Sequence, residues 1–302
     1  MKKTLLFLLI ASSFTVAKAQ YQHDSIKIEH GYLHYYTKGE GKPLILLQGG
    51  PGFSSFYMRA IADSLDGYKT VLVDFEGTGR SQYRKADPTW VSMDNLVGNV
   101  ELVRKKLGIN NWTAIGHSYG GMFALYYAVK HPEIVSKVIS VSGAGTDNKF
   151  QQYYTTNIMS RFTPEDMKKM AEIRSSTTLK ETEKSIQEVL VMTPAIFYDR
   201  SKAPRFMNNI PPDEMKMVMN GDYFQSMFIE LNKLDFGKDV YQLNTPIRII
   251  QGRQDAIGEA VPVLLNERSK DSKLFFVERS AHAPWAEQPE IFFKVLKDFL
   301  IN

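Results

Sequence analysis

Three residues have the types and spacing that hydrolytic chemistry requires. Ser118 lies in Gly116-His117-Ser118-Tyr119-Gly120-Gly121, between the apolar run WTAIG and the apolar helical pattern MFALYYAV. At a strand-to-helix corner the glycines relieve crowding around a sharp turn, which lifts the serine over the sheet edge at the positive end of the following helix. A serine hydroxyl is a weak nucleophile at neutral pH, so this reading demands a histidine base and an acid that holds its tautomer. Asp255 follows the run PIRIIQG, and His282 follows the run KLFFVE. The order Ser118, Asp255, His282 is the one expected when successive strand ends along one sheet edge supply the groups. His117 is poorly placed to turn its ring back on its neighbour Ser118, and is expected to pack beside the elbow.

Acyl transfer also needs donors aimed at an oxyanion. Gln48-Gly49-Gly50-Pro51-Gly52 follows another apolar run, and Pro51 has no amide hydrogen to give. The backbone N–H groups of Gly50 and Tyr119 are therefore the expected pair, the second coming from the residue after the nucleophile. Gly77-Thr78-Gly79 lacks the GxxxxGK[ST] pattern and is not read as a phosphate loop. The segment Asp74 to Ser81 is expected to wall the elbow from behind, with Arg80 free to pair with a carboxylate.

These groups need a scaffold, and the 302 residues, 43% of them apolar and 23% charged, suffice for one or two cores. Buried strands are predicted at 43 to 48, 70 to 74, 112 to 116, 138 to 143, 246 to 252 and 273 to 278. Helical patterns near 55 to 66, 91 to 107, 119 to 131, 257 to 266 and 288 to 300 alternate with them, which describes an α/β fold with a mostly parallel sheet covered on both faces. Residues 25 to 39 alternate around His30-Gly31 as an antiparallel edge hairpin. The alternation stops after Gly145 and resumes near Thr245. The intervening stretch reads as a helical cap, with a start at Thr163-Pro164-Glu165-Asp166, a helix over 178 to 192, another after Pro211-Pro212-Asp213, and an apolar stripe from Tyr223 to Leu231. Nine of the thirteen methionines fall here, between Met159 and Met227, as suits an adaptable apolar surface over a pocket.

Composition excludes several classes. There is no cysteine, which removes disulfides, cysteine-ligated metal and a thiol nucleophile. The six histidines are scattered without a short ligand motif, so neither metal nor cofactor is expected. The N-terminus MKKTLLFLLIASSFTVAKAQ reads as a signal peptide over residues 1 to 19, too short in its apolar stretch to span a bilayer. Its removal takes Lys2, Lys3 and Lys18 from the 37 basic residues, leaving 34 against 33 acidic ones, so the formal +4 falls to about +1. The product is expected to be exported to the periplasm or beyond, without stable membrane insertion. With no dense Lys/Arg stripe, nucleic acid is not an expected partner.

Residues 25 to 145 and 245 to 300 resemble the α/β-hydrolase fold. QGGPG at 48 to 52, DFEGTGRS at 74 to 81, GHSYGG at 116 to 121, GRQD at 252 to 255 and HAPWAEQPE at 282 to 290 resemble its proline iminopeptidase-like branch. The alternation and the leader give domains at 20–145 and 245–302 for the core and 146–244 for the cap, and the resemblance implies a serine attack on the carbonyl that joins an N-terminal residue to a small peptide. It also implies cap carboxylates that bind the free amine. The branch usually carries histidine where this chain has Gln48, a basic or amide residue where it has Glu76, and a Trp-Glu-rich cap stretch that is missing here. Glu76, Asp222 and Glu230 are the candidate amine anchors that remain. Related members act as esterases or amidases, so a secreted carboxylic ester hydrolase or small-molecule amidase is the alternative. A noncatalytic binding protein on the same fold would not require the complementary set Ser118, Asp255 and His282, and halide displacement or epoxide opening usually places a carboxylate at the elbow.

Overall fold

The computed structural model describes residues 20–82, 91–208, 210, 214 and 221–302. The predicted leader and the helix expected after Pro211-Pro212-Asp213 lie outside them. Eight strands form one sheet: β1 Gln22–Ile28, β2 Gly31–Lys38, β3 Lys42–Leu47, β4 Tyr68–Val73, β5 Trp112–His117, β6 Val135–Val141, β7 Ile247–Gly252 and β8 Ser272–Val277. Their order is β1-β2-β4-β3-β5-β6-β7-β8. β1 and β2 pair antiparallel as the predicted hairpin, β2 joins β4 antiparallel, and the remaining pairs are parallel.

The apolar runs split between two cores by the two-residue period of a strand. In β3, Ile45 and Leu47 enter one core, and Leu44 and Leu46 enter the other. The first core packs under the helices α1 Met93–Lys106 and α2 Tyr119–Lys130, through Leu96, Val100, Phe123 and their neighbours. The second receives Met58 and Ile61 together with Phe292, Leu296 and Phe299 of the C-terminal helix Pro289–Ile301. Both faces of the sheet are thereby covered, as parallel strands require. The predicted helix over 55 to 66 is a short 3₁₀ turn, Ser55–Met58, followed by one α turn, Arg59–Ala62.

Between β6 and β7 lies the helical cap, with α3 Phe150–Met159, α4 Pro164–Ser175, α5 Glu181–Met192 and α6 Gly221–Leu231. The start of α4 is the local one expected. Thr163 Oγ1 accepts from the Asp166 N–H at 3.1 Å, and the Asp166 carboxylate accepts from the Thr163 N–H at 2.9 Å. Among the described residues no helix is long and apolar enough to cross a membrane.

This topology fixes where a site can form. The chain runs from β3 to β4 on one side and then returns to β5 on the other before passing to β6, so β3 and β5 are paired neighbours whose outgoing connections run to opposite sides. Such a switch point opens a crevice above the sheet. The glycine-rich loop after β3 and the serine after β5 flank it.

Candidate active site

At the end of β5 the chain turns into α2 through Ser118, whose backbone is held at φ 56° and ψ −120°. This is a costly conformation for a residue with a side chain, of the order of 1–3 kcal/mol, and it persists because the surroundings over-determine it. The Ser118 N–H donates to the Val141 carbonyl at 3.0 Å, and its carbonyl accepts from Gly121 and Ala144. Close packing explains the flanking glycines. A Cβ at Gly116 would stand 2.0 Å from the Gly120 oxygen, and one at Gly120 would stand 2.1 Å from the Leu47 oxygen.

Asp255, after β7, and His282, after β8, meet as a buried pair. His282 Nδ1 lies 3.0 and 2.9 Å from the two carboxylate oxygens of Asp255. Because a carboxylate only accepts, Nδ1 carries the proton and Nε2 is left with its lone pair. Gln251 Nε2 and the Ile257 N–H also donate to Asp255, at 2.9 and 3.0 Å, and fix the carboxylate plane. Burial alone would raise the Asp255 carboxyl, but the His282 ring, their hydrogen bond and the Ile257 N–H outweigh it and hold the group below its usual value. Ser118 and His282 face the same cavity; among the described residues no hydrogen bond joins them in this structure. Catalytic hydrogen bonds of this kind commonly tighten only with substrate bound.

That cavity is about 730 Å³, with Ser118, His282, Gly50 and Tyr119 on its floor and cap helices above. Phe53, Tyr154, Met192 and Phe228 make much of its wall apolar. Met170 and Met192 line it as the sequence suggests, whereas Met159 and Met167 are exposed on the outer cap surface. Two ion pairs also reach the wall. Arg174 of α4 pairs with Glu188 of α5 at 2.9 Å, and Lys184 pairs with Glu181 at 3.0 Å.

The expected amine anchors fare differently. Glu76 does not line the cavity: it is buried behind it, where it accepts from Asn99 Nδ2 at 2.7 Å. Glu230 also lies off the wall, because the stripe of α6 turns Phe228 and Leu231 toward the cavity instead. The side chain of Asp222 lies outside the described residues. Among the described residues the acidic groups that do reach the wall are Glu181 and Glu188, which no motif marks, although their seven-residue spacing on a helix places them on one face. Arg80, expected to seek a carboxylate, pairs with Glu214 of the cap at 3.3 Å. Asp74 braces the wall, accepting from the Ser55 N–H and hydroxyl and from the Arg80 N–H.

Glu287, within the HAPWAEQPE segment, was also unmarked by the sequence. It is almost fully buried, and one carboxylate oxygen accepts from the Tyr198 and Asp199 N–H groups of the cap at 2.7 and 3.1 Å. The other accepts from the Ala281 N–H, one residue before His282, at 2.6 Å. Burial pushes this carboxyl above its usual value, against donors that favour the charged form. The His282 N–H itself donates to the cap carbonyl of Ile196 at 3.1 Å, so the cap and the histidine loop are fastened together. Glu287→Gln sets an amide NH₂ against one of these donor pairs and is expected to lower unfolding stability by about 2–3 kcal/mol in urea denaturation. A change within about 0.5 kcal/mol would contradict this account of the loop.

A profile of the alpha/beta hydrolase fold matches residues 42–287. The chain is 26% identical to the proline iminopeptidase of Saccharolobus solfataricus over 295 residues, covering 91% of this chain and 93% of the relative. Its structure is similar to that of a proline iminopeptidase-related protein from Thermus thermophilus, with a TM-score of 0.73 at 19% identity and coverage of 93% and 98%. An epoxide hydrolase from Bacillus megaterium superposes with a TM-score of 0.69 at 22% identity, over 92% of this chain and all of that one, so shape alone does not choose the reaction. The chain belongs to the α/β-hydrolase fold family, on a branch whose similar curated relatives are proline iminopeptidases.

Proposed function

We propose that this protein is a serine hydrolase that cleaves an amide or ester bond through an acyl-enzyme, and that its substrates are small peptides with a free amino terminus. The observation that carries the first part is the Asp255–His282 pair at 2.9 Å, which leaves Nε2 as the acceptor in the cavity that also holds the strained Ser118. His282 takes the Ser118 proton as the hydroxyl attacks the carbonyl carbon, and Asp255 stabilises the imidazolium that forms. The N–H groups of Gly50 and Tyr119 receive the oxyanion. Protonated His282 then delivers its proton to the leaving group. Water, deprotonated by the same ring, hydrolyses the acyl-enzyme and regenerates Ser118. Serine at the elbow, rather than a carboxylate, separates this chemistry from epoxide opening.

The aminopeptidase part draws on the relatives' names and on the carboxylates of Glu181 and Glu188 at the cavity wall, which would take a substrate ammonium in exchange for, or shared with, their partners Lys184 and Arg174. The competing ester hydrolase reading draws on the aromatic and aliphatic remainder of that wall. A panel of aminoacyl arylamides, their N-acetylated forms and aryl esters distinguishes the two. Cleavage of the arylamides with kcat/KM falling at least about tenfold on acetylation, the loss of one charged contact, is expected. Hydrolysis of esters only, indifferent to a free amine, would defeat the peptidase reading. Export remains part of the proposal, and amino-terminal sequencing of the mature protein should begin at about Gln20.

A further inference from the structure

His117 and Tyr57 line the cavity beside Ser118 and His282, and the proposed reaction uses neither. Tyr57 lies in the short 3₁₀ turn beyond the glycine-rich loop, and its hydroxyl is 2.9 Å from His117 Nδ1. The same hydroxyl oxygen accepts the Gly49 N–H. On the far side of the ring, His117 Nε2 lies 2.8 Å from the backbone carbonyl oxygen of His282. The His117 and His282 rings are packed against each other, with centroids 4.7 Å apart, and Trp285 closes the edge.

Elementary donor and acceptor rules fix the direction of every bond. A carbonyl only accepts, so His117 Nε2 must carry a hydrogen. Burial drives the imidazole down to about 3, with the neighbouring His282 adding to the effect, so the ring is neutral and Nδ1 has only a lone pair. Tyr57 must then spend its single hydroxyl hydrogen on Nδ1, which leaves its oxygen to accept from Gly49. The order is Gly49 N–H to Tyr57, Tyr57 O–H to His117, and His117 N–H to the carbonyl of His282. No member can reverse without leaving a buried donor facing a donor.

We propose, resting on the serine hydrolase reading above, that Tyr57 and His117 are positioning residues that hold the oxyanion loop and the histidine loop in one register through this chain of hydrogen bonds. The two loops leave separate strands, β3 near the middle of the sheet and β8 at its edge, and both must stand correctly about the tetrahedral centre on Ser118. Gly49 is next to Gly50, the proposed oxyanion donor, and there is little slack: a Cβ on Gly49 would stand 2.9 Å from that of Ser118. Holding the Gly49 amide therefore limits where the Gly50 amide can point. The other end holds His282 by its carbonyl, while Ile196 holds it by its N–H.

Tyr57→Phe in the full chain removes the hydroxyl and keeps the ring that stacks on Trp285. The expected result is a fall in kcat of about 10- to 100-fold, somewhat below the loss of an oxyanion donor itself, with KM changing less than about threefold. Inhibition by an arylboronic acid, whose adduct on serine is tetrahedral, should weaken by the same factor as kcat/KM. Unchanged kcat and boronate affinity, or a rise in KM alone, would overturn the proposal. Imidazole ¹⁵N spectra of the unmutated protein give a reading that does not depend on the variant folding. His117 should appear as the neutral Nε2–H tautomer with a hydrogen-bonded Nδ1, and an Nδ1–H tautomer would overturn the relay. Ser118→Ala, assayed alongside, separates the failures: retained activity there removes the serine hydrolase reading, whereas the nitrogen shifts judge the relay alone.

Discussion

Ser118→Ala is expected to lower kcat by about 10⁴- to 10⁶-fold with little change in KM, because it removes the hydroxyl that the proposed reaction turns into the acyl-enzyme. Among the described residues no hydrogen bond is made by the Ser118 hydroxyl in this structure. The backbone bonds from Ser118 to Val141, Gly121 and Ala144 are main-chain bonds that alanine retains, as it retains the strained φ of 56°. The thermal midpoint should therefore stay close to that of the parent while turnover collapses. Residual catalysis from oriented binding and the oxyanion donors sets the floor. Activity within about tenfold of the parent would mean that another group attacks the substrate.

Asp255→Asn is expected to reduce kcat by about 10³- to 10⁴-fold. Asp255 accepts from His282 Nδ1, Gln251 Nε2 and the Ile257 N–H, and all three partners are donors. An asparagine offers one oxygen to this set and must turn its NH₂ toward another member. When that member is His282, the ring can satisfy it only by moving its proton from Nδ1 to Nε2, the atom required to accept from Ser118. The pair would survive as a contact and fail as a base. Despite its burial, Asp255 is held below the usual carboxylate range by the His282 ring, their hydrogen bond and the Ile257 N–H, so it is the ionised form that this set of donors favours.

Much of this architecture is legible one segment at a time. Five of the six short apolar runs are strands buried on both faces, the sixth, β8, is a part-exposed edge strand, and their division between two cores follows from alternation alone. The sharp turn at Ser118 is announced by glycines whose absent Cβ atoms would strike backbone, and the capping box at Thr163 is complete within four residues. Asp255 and His282 could be placed because each follows a recognisable strand. What sequence did not disclose are partners chosen by distant loops. Tyr57 is 60 positions from His117, and Glu287 binds cap amides 88 and 89 positions away, pairings that no local pattern encodes. The amine anchors fell short for a related reason. Glu76 and Glu230 are acidic and close to the site in sequence, but burial behind the elbow and the rotation of α6 turn them from the cavity, and among the described residues the carboxylates that reach its wall are Glu181 and Glu188.

Labelling with a fluorophosphonate, followed by mass spectrometric identification of the modified peptide, tests the central claim most directly. The reagent phosphonylates a serine only where a base and oxyanion donors activate it. One adduct is expected, on the peptide that contains Ser118, and it should be lost in Ser118→Ala and strongly slowed in Asp255→Asn. Labelling at another residue, or labelling that persists undiminished in Ser118→Ala, would contradict the assignment of Ser118, Asp255 and His282 as the reacting set.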